Sequence, residues 1–134
     1  MQVEPYLFFN GRCEEAMAFY GKAIGAKTSY LMRFKEAPEA ESNGSNDPEK
    51  IMHANLQIGA NQIMCSDGMN EGPTNFAGFS LSIAVTSPEQ AKQLFDALAD
   101  GGQVTMPLQQ TFWAKSFGML VDRFGVPWMI NCEQ

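Results

Sequence analysis

Histidine occurs once in these 134 residues, at His53, and cysteine only three times, at Cys13, Cys65 and Cys132. Three widely spaced cysteines do not make a disulfide framework, and no CxxC pair is present to hold zinc. They fit a reducing compartment, so the expected location is cytoplasmic. Basic residues are also scarce, 9 Lys and Arg against 15 Asp and Glu, for a net charge of -6. No basic stripe can neutralise phosphates, which argues against nucleic acid and anionic membrane as partners. No apolar run approaches the roughly 18 to 20 residues that span a bilayer, and the opening MQVEPY lacks the basic region and apolar core of an export signal.

What is present is a repeat. Ala16, Phe19, Tyr20, Ala23 and Ile24 occupy one face of a helix, and Ala91, Leu94, Phe95, Leu98 and Ala99 repeat that spacing 75 residues later. A strand reading precedes each helix, Tyr6 to Phe9 in the first copy and Phe79 to Val85 in the second. The chain is too short for two independent domains, so residues 1–134 are expected to form one domain. Its module one covers about 1–67, a linker 68–78, and module two about 79–134.

Gly25 is a natural left-handed stop for the first helix, and Thr28 to Phe34 then reads as a strand. Glu36 to Lys50 carries five acids among Pro, Ser, Asn and Gly, a composition that reads as a mobile acidic loop. Met52, Ala54, Leu56 and Ile58 alternate with His53, Asn55 and Gln57, the period of a strand with one apolar and one polar face. Gln62 to Ser66 follows as the next strand. In the second copy Ser87, Pro88 and Gln90 form a capping-box signature before the helix, and Gly101-Gly102 ends it. Val104 to Leu108, Lys115 to Val121 and Pro127 to Asn131 read as strands. Phe79, Leu81, Ile83 and Val85, and likewise Val126, Trp128 and Ile130, are expected to pack under the helices. The opposite faces carry His53, Asn55, Gln57, Ser80, Ser82 and Asn131.

Two strand-helix-three-strand units with small polar residues on one side resemble the vicinal oxygen chelate superfamily of glyoxalases, bleomycin-resistance proteins and dioxygenases, and within it the PhnB-like branch. The residues that carry the resemblance are Pro5-Tyr6-Leu7, Phe19-Tyr20, Gly25-Ala26, His53-Ala54, Ser66-Asp67, Thr111-Phe112-Trp113, Phe117-Gly118 and Asp122-Arg123-Phe124-Gly125-Val126-Pro127-Trp128. It implies an α+β fold of two βαβββ modules, a glyoxalase-like curved sheet or half-barrel with helices on the outer face. It also implies a homodimer and a small-molecule ligand held in a concave cavity.

Many relatives hold a divalent metal through His and Glu. Here the four corresponding positions fall at or near Pro5, Met64, Ser80 and Met129, a set unsuited to the metals of this superfamily. The reading is therefore metal: none, and no cofactor. Candidate ligand-binding residues are His53, Asn55, Gln57, Ser80, Ser82, Phe112, Trp113, Met129 and Asn131. His53 is the one candidate for catalysis, as a general base or hydrogen-bond donor, or else a structural histidine held by a loop carboxylate, with Asp67 either orienting it or capping the turn at Gly68. Phe112 and Trp113 would form a flat platform for a planar ligand, or pack at the rim. Met52, Met64, Met106, Met119 and Met129 would give an adaptable wall, or would simply fill the core. Cys13, at a helix start, would have its thiol pKa lowered by the dipole, or would simply be buried.

The function expected is metal-independent small-molecule binding. The alternative is a metal-dependent lyase, isomerase or dioxygenase, which needs two to four inward His or Glu. A methyltransferase label carried by relatives finds no glycine-rich strand-turn-helix for S-adenosylmethionine here.

Overall fold

The computed structural model describes residues 1–38, 47–69 and 72–133, and divides into two compact units, Met1–Thr74 and Asn75–Gln134. The first contains β1 (Tyr6–Phe8), α1 (Cys13–Ile24), β2 (Lys27–Arg33), a single 3-10 turn (Phe34–Glu36), β3 (Ile51–Ile58) and β4 (Asn61–Ser66). The second contains β5 (Leu81–Val85), α2 (Pro88–Ala99), β6 (Gln103–Gln109), β7 (Ala114–Val121) and β8 (Pro127–Glu133). Each forms a four-stranded sheet, in order β1-β4-β3-β2 and β5-β8-β7-β6. In both, the first and last strands pair in parallel while the other neighbours are antiparallel. These are two βαβββ modules, α+β as expected, and neither sheet closes into a barrel. Among the described residues no helix is long and apolar enough to cross a membrane.

The repeat extends to the helix ends. Cys13 and Pro88 begin the helices and Ile24 and Ala99 end them, so both boundaries are 75 residues apart. Ala16 and Ala91, and Tyr20 and Phe95, are buried at matching positions. The copies diverge at Met17, which is buried, because its counterpart Lys92 is charged and instead pairs on the surface with Asp96 at 2.7 Å. Gly25 ends α1 in the left-handed region at φ 72, as its lack of a Cβ allows. At the start of α2 the Ser87 hydroxyl oxygen accepts from the Gln90 N–H at 3.0 Å.

Capping of α1 is solved differently. Arg12 offers no side-chain cap, and the Cys13 N–H donates instead to Asp67 Oδ1 at 2.8 Å, while Asp67 Oδ2 accepts from the Ile51 N–H at 2.7 Å. Asp67 thus ties the start of α1 to the start of β3, where a buried negative charge meets the positive helix end. Neither role foreseen for it holds: the turn at Gly68 is closed by the Ser66 hydroxyl, which accepts the Gly68 N–H at 2.9 Å.

Two strand boundaries are also corrected. Phe34 leaves β2 to become a buried member of the 3-10 turn. Phe79 and Ser80 precede β5, because Leu81 is the first residue with a partner on β8, and Pro127 beside that point has no N–H to extend the ladder. Phe79 is consequently exposed and meets Phe76 edge-on at 6.4 Å rather than packing under α2. Leu81, Ile83 and Val85 do alternate with the more exposed Ser82 and Ala84.

The ends of the acidic segment are held. Phe34 and Lys35 N–H groups donate to the carbonyls of Lys50 and Pro48 at 3.0 Å, and the Lys35 ammonium meets Glu49 at 2.9 Å. Arg33 donates to the Glu14 carboxylate at 2.9 Å and to the Glu49 carbonyl at 2.6 Å, and its guanidinium holds the Glu14 carboxyl below its ordinary pKa. Residues 39–46 of the expected loop lie outside the described residues.

Candidate functional site

Alternation along β1 buries Leu7 and leaves Tyr6 and Phe8 on the opposite, open face, 37% and 52% exposed. Along β3, Ala54 and Leu56 are buried, and His53 and Asn55 share the open face. Register aligns these residues: Tyr6 pairs with Met64, Met64 with Asn55, and Asn55 with Tyr30, one row across four strands. Tyr30 joins that row through an irregularity. Thr28 pairs with Leu56 but Tyr30 with Asn55, so the bulge at Ser29 turns Tyr30 away from the covered side, leaving it 45% exposed.

The result is an aromatic cluster built around one imidazole. Tyr6 stacks on Phe8 with ring centroids 4.9 Å apart, and the His53 ring lies 5.4 Å from Tyr6 and 6.0 Å from Tyr30. The Tyr6 hydroxyl is 2.7 Å from His53 Nδ1, and His53 Nε2 is 2.8 Å from Asn55 Oδ1. Burial, ahead of the neighbouring Cys65 and Cys13, pushes the Tyr6 phenol above its ordinary pKa. Sequence reasoning found His53 and Asn55 but missed Tyr6, Phe8 and Tyr30. Large aromatics alternating with Leu7 and Phe9 were a usable signal for the first two; nothing local announces the bulge that delivers Tyr30.

The other expected site residues are placed separately. Gln57 is spent on its own hairpin, its Nε2 donating to the Gly59 carbonyl at 2.9 Å. Ser80 precedes β5, whereas Ser82, Met129, Met119 and Met106 form one open-face row of the second sheet, bringing three of the methionines side by side. Asn131 lies in the adjacent row, opposite Ala84 and Phe117, and its Oδ1 is buried without a hydrogen-bond partner among the described residues. Phe112 and Trp113 sit in the β6–β7 turn, where Thr111 Oγ1 accepts from the N–H groups of Trp113 and Ala114. Their rings meet edge to face at 82°, 4.8 Å apart, and Trp113 meets Phe117 in the same manner at 5.5 Å. That geometry corrects the flat platform: two perpendicular rings offer no common plane, and Phe112 is 92% exposed.

Of the two readings of Cys13 the buried one holds: the side chain is fully buried, and the neighbouring Cys65 thiol together with burial pushes its own thiol pKa up rather than down.

The metal implied by the fold family does not fit these residues. Pro5 has only its carbonyl to offer, and that accepts the Met64 N–H at 2.9 Å; Met64 and Met129 bring thioethers, and Ser80 one hydroxyl. Among the described residues no three His, Cys, Asp or Glu side chains are grouped as ligands. The hard or borderline divalent ions of this superfamily need oxygen and nitrogen donors that the four positions lack.

Two βαβββ modules with parallel outer pairings define a glyoxalase-like α+β protein. A glyoxalase-related enzyme from Fulvimarina pelagi, 16% identical, shares this fold at TM-score 0.63 over 99% of this chain and 89% of its own. Within that class the chain belongs to the family described as 3-demethylubiquinone-9 3-methyltransferase, whose model matches residues 1–131. Protein YjdN of Escherichia coli (strain K12) is 41% identical over 98% of this chain and 95% of its own length. Protein PA1353 from Pseudomonas aeruginosa is 45% identical with TM-score 0.87, covering 100% of this chain and 98% of its own. The PhnB protein from Bacillus cereus is 26% identical with TM-score 0.83, over 98% of this chain and 99% of its own. The methyltransferase wording is a family label.

Proposed function

We propose that this is a metal-independent small-molecule binding protein of the glyoxalase and bleomycin-resistance type, with a partly aromatic ligand seated on the open face of its first sheet. One observation carries the reading. Tyr6, Phe8 and Tyr30 present three large rings to solvent around the hydrogen-bonded pair His53 and Asn55. Exposed aromatics supply stacking area at low entropy cost, and a few polar groups among them fix orientation. The protein acts as a cytoplasmic homodimer, in line with the family resemblance.

The test is ligand-induced thermal stabilisation across aromatic and metabolite libraries, on protein purified without chelator and analysed for metal. A ligand at about a hundred times its Kd is expected to raise Tm by about 5–10 °C. Tyr30→Ala should abolish most of that shift, and Trp113→Ala should preserve it. About one tightly held divalent ion per chain would overturn the metal-independent reading. Sedimentation is expected to give a mass twice that of one chain.

A further inference from the structure

We propose that Tyr6, His53 and Asn55 form a proton relay, and that the open face they share catalyses cofactor-free proton shifts on an aryl carbon acid. This rests on the binding reading above and deepens it by naming the substrate class. Asn55 Oδ1 can only accept a hydrogen bond, so His53 Nε2, 2.8 Å away, is the protonated ring nitrogen. Nδ1 then carries the lone pair, and the Tyr6 O–H donates to it at 2.7 Å. A hydroxyl, a base within reach of its proton and a third group that fixes the base's tautomer are the three parts of an activated acid-base site.

The step balances without any further reagent. A substrate C–H next to a carbonyl gives its proton to the Tyr6 oxygen as the phenol's own proton moves to His53 Nδ1. The C–H electron pair stays on the substrate as an enolate, and the imidazolium is held by Asn55 Oδ1. Reversal returns the proton to the same carbon or a neighbouring atom, for exchange or isomerisation. The raised phenol pKa agrees with this route, because Tyr6 stays uncharged at both ends of the transfer. The substrate class follows from the surroundings: Tyr6 stacks on Phe8 beside the relay, and Tyr30 flanks His53 on the other side. Those faces suit a planar aryl group.

The experiment follows exchange of the α-protons of 2-indanone in deuterated buffer by NMR, with saturation-transfer binding read from the same sample. Wild-type protein is expected to accelerate exchange, and Tyr6→Phe and His53→Gln each to lower it about 100-fold or more with melting curves unchanged. Tyr6→Phe keeps the ring stack. Asn55 is a positioning residue, so Asn55→Ala should lower the exchange rate while Asn55→Asp, which keeps the acceptor, restores it. Wild-type exchange no faster than Tyr6→Phe overturns the relay. If 2-indanone still binds, the binding reading survives that result; if it neither binds nor exchanges, both fall for this substrate class.

Discussion

Asp122 Oδ2 accepts a hydrogen bond of 2.8 Å from the indole Nε1 of Trp128, while Asp122 Oδ1 accepts from the N–H groups of Phe124 and Val126 at 2.8 and 3.0 Å. One buried carboxylate therefore closes the β7–β8 turn and fixes the largest side chain of the second core. The Asp-x-Phe-Gly-x-x-Trp element, Asp122 to Trp128, one of the stretches that carry the family resemblance, is accordingly a folding device. Its residues shape the turn and the covered face of the sheet.

Asp122→Asn is expected to cost about 2–3 kcal/mol. The amide keeps one acceptor and turns an NH2 group toward a donor, in a place with little water to compensate. Urea unfolding measures the loss. Trp128→Phe in the Asp122→Asn background should cost less than it does alone, because the indole N–H has already lost its partner.

Cys13 gives a pH prediction whose sign is fixed. Its thiol titrates at the ordinary value of 9.0 when the chain is unfolded and well above that when folded. Below pH 9 both states hold the proton and the group makes no difference to the pH profile. Above it the unfolded chain ionises and the native one does not, so stability falls by about 1.4 kcal/mol per pH unit from this group. Unfolding free energies at pH 8, 9 and 10 should show Cys13→Ala losing less stability with pH than the parent. Equal slopes would remove the coupling of Cys13 to Cys65 as its cause. In the same protein all three buried thiols should resist a disulfide reagent until denaturant is added.

How much of this was legible depends on how local the cause is. Helix faces, the Ser87 cap, the Gly25 stop and the alternation of β3 and β8 are written in neighbouring residues, and the structure has them. Asp67 was misread because its partners, Cys13 and Ile51, are 54 and 16 positions away. Tyr30 was invisible for a similar reason, since a one-residue bulge changes its face without changing the composition of the strand. His53 and Asn55 were found by periodicity, but the phenol that completes their array comes from a strand 47 residues earlier. Phe112 and Trp113 illustrate the converse: adjacent rings suggested a platform, and only the angle between them, which no sequence pattern encodes, shows otherwise.

Gly118 supplies the last prediction, from close approach rather than backbone freedom. It lies on β7 opposite Ile130, on the face covered by α2, and a Cβ built there would stand 2.7 Å from Phe95 Cε2 and 3.1 Å from the backbone nitrogen of Leu108. The ring can move, but the Leu108 backbone is held in β6, so the strain is only partly relieved. Gly118→Ala should therefore destabilise by about 1–3 kcal/mol, the usual cost of overfilling a packed site. Phe95→Leu alone should also destabilise, through lost apolar volume. In the double variant the smaller side chain makes room for the methyl, so the two penalties should sum to less than their separate values by about 1 kcal/mol. Strict additivity in urea unfolding would place the clash elsewhere and separate the helix from the glycine it leans on.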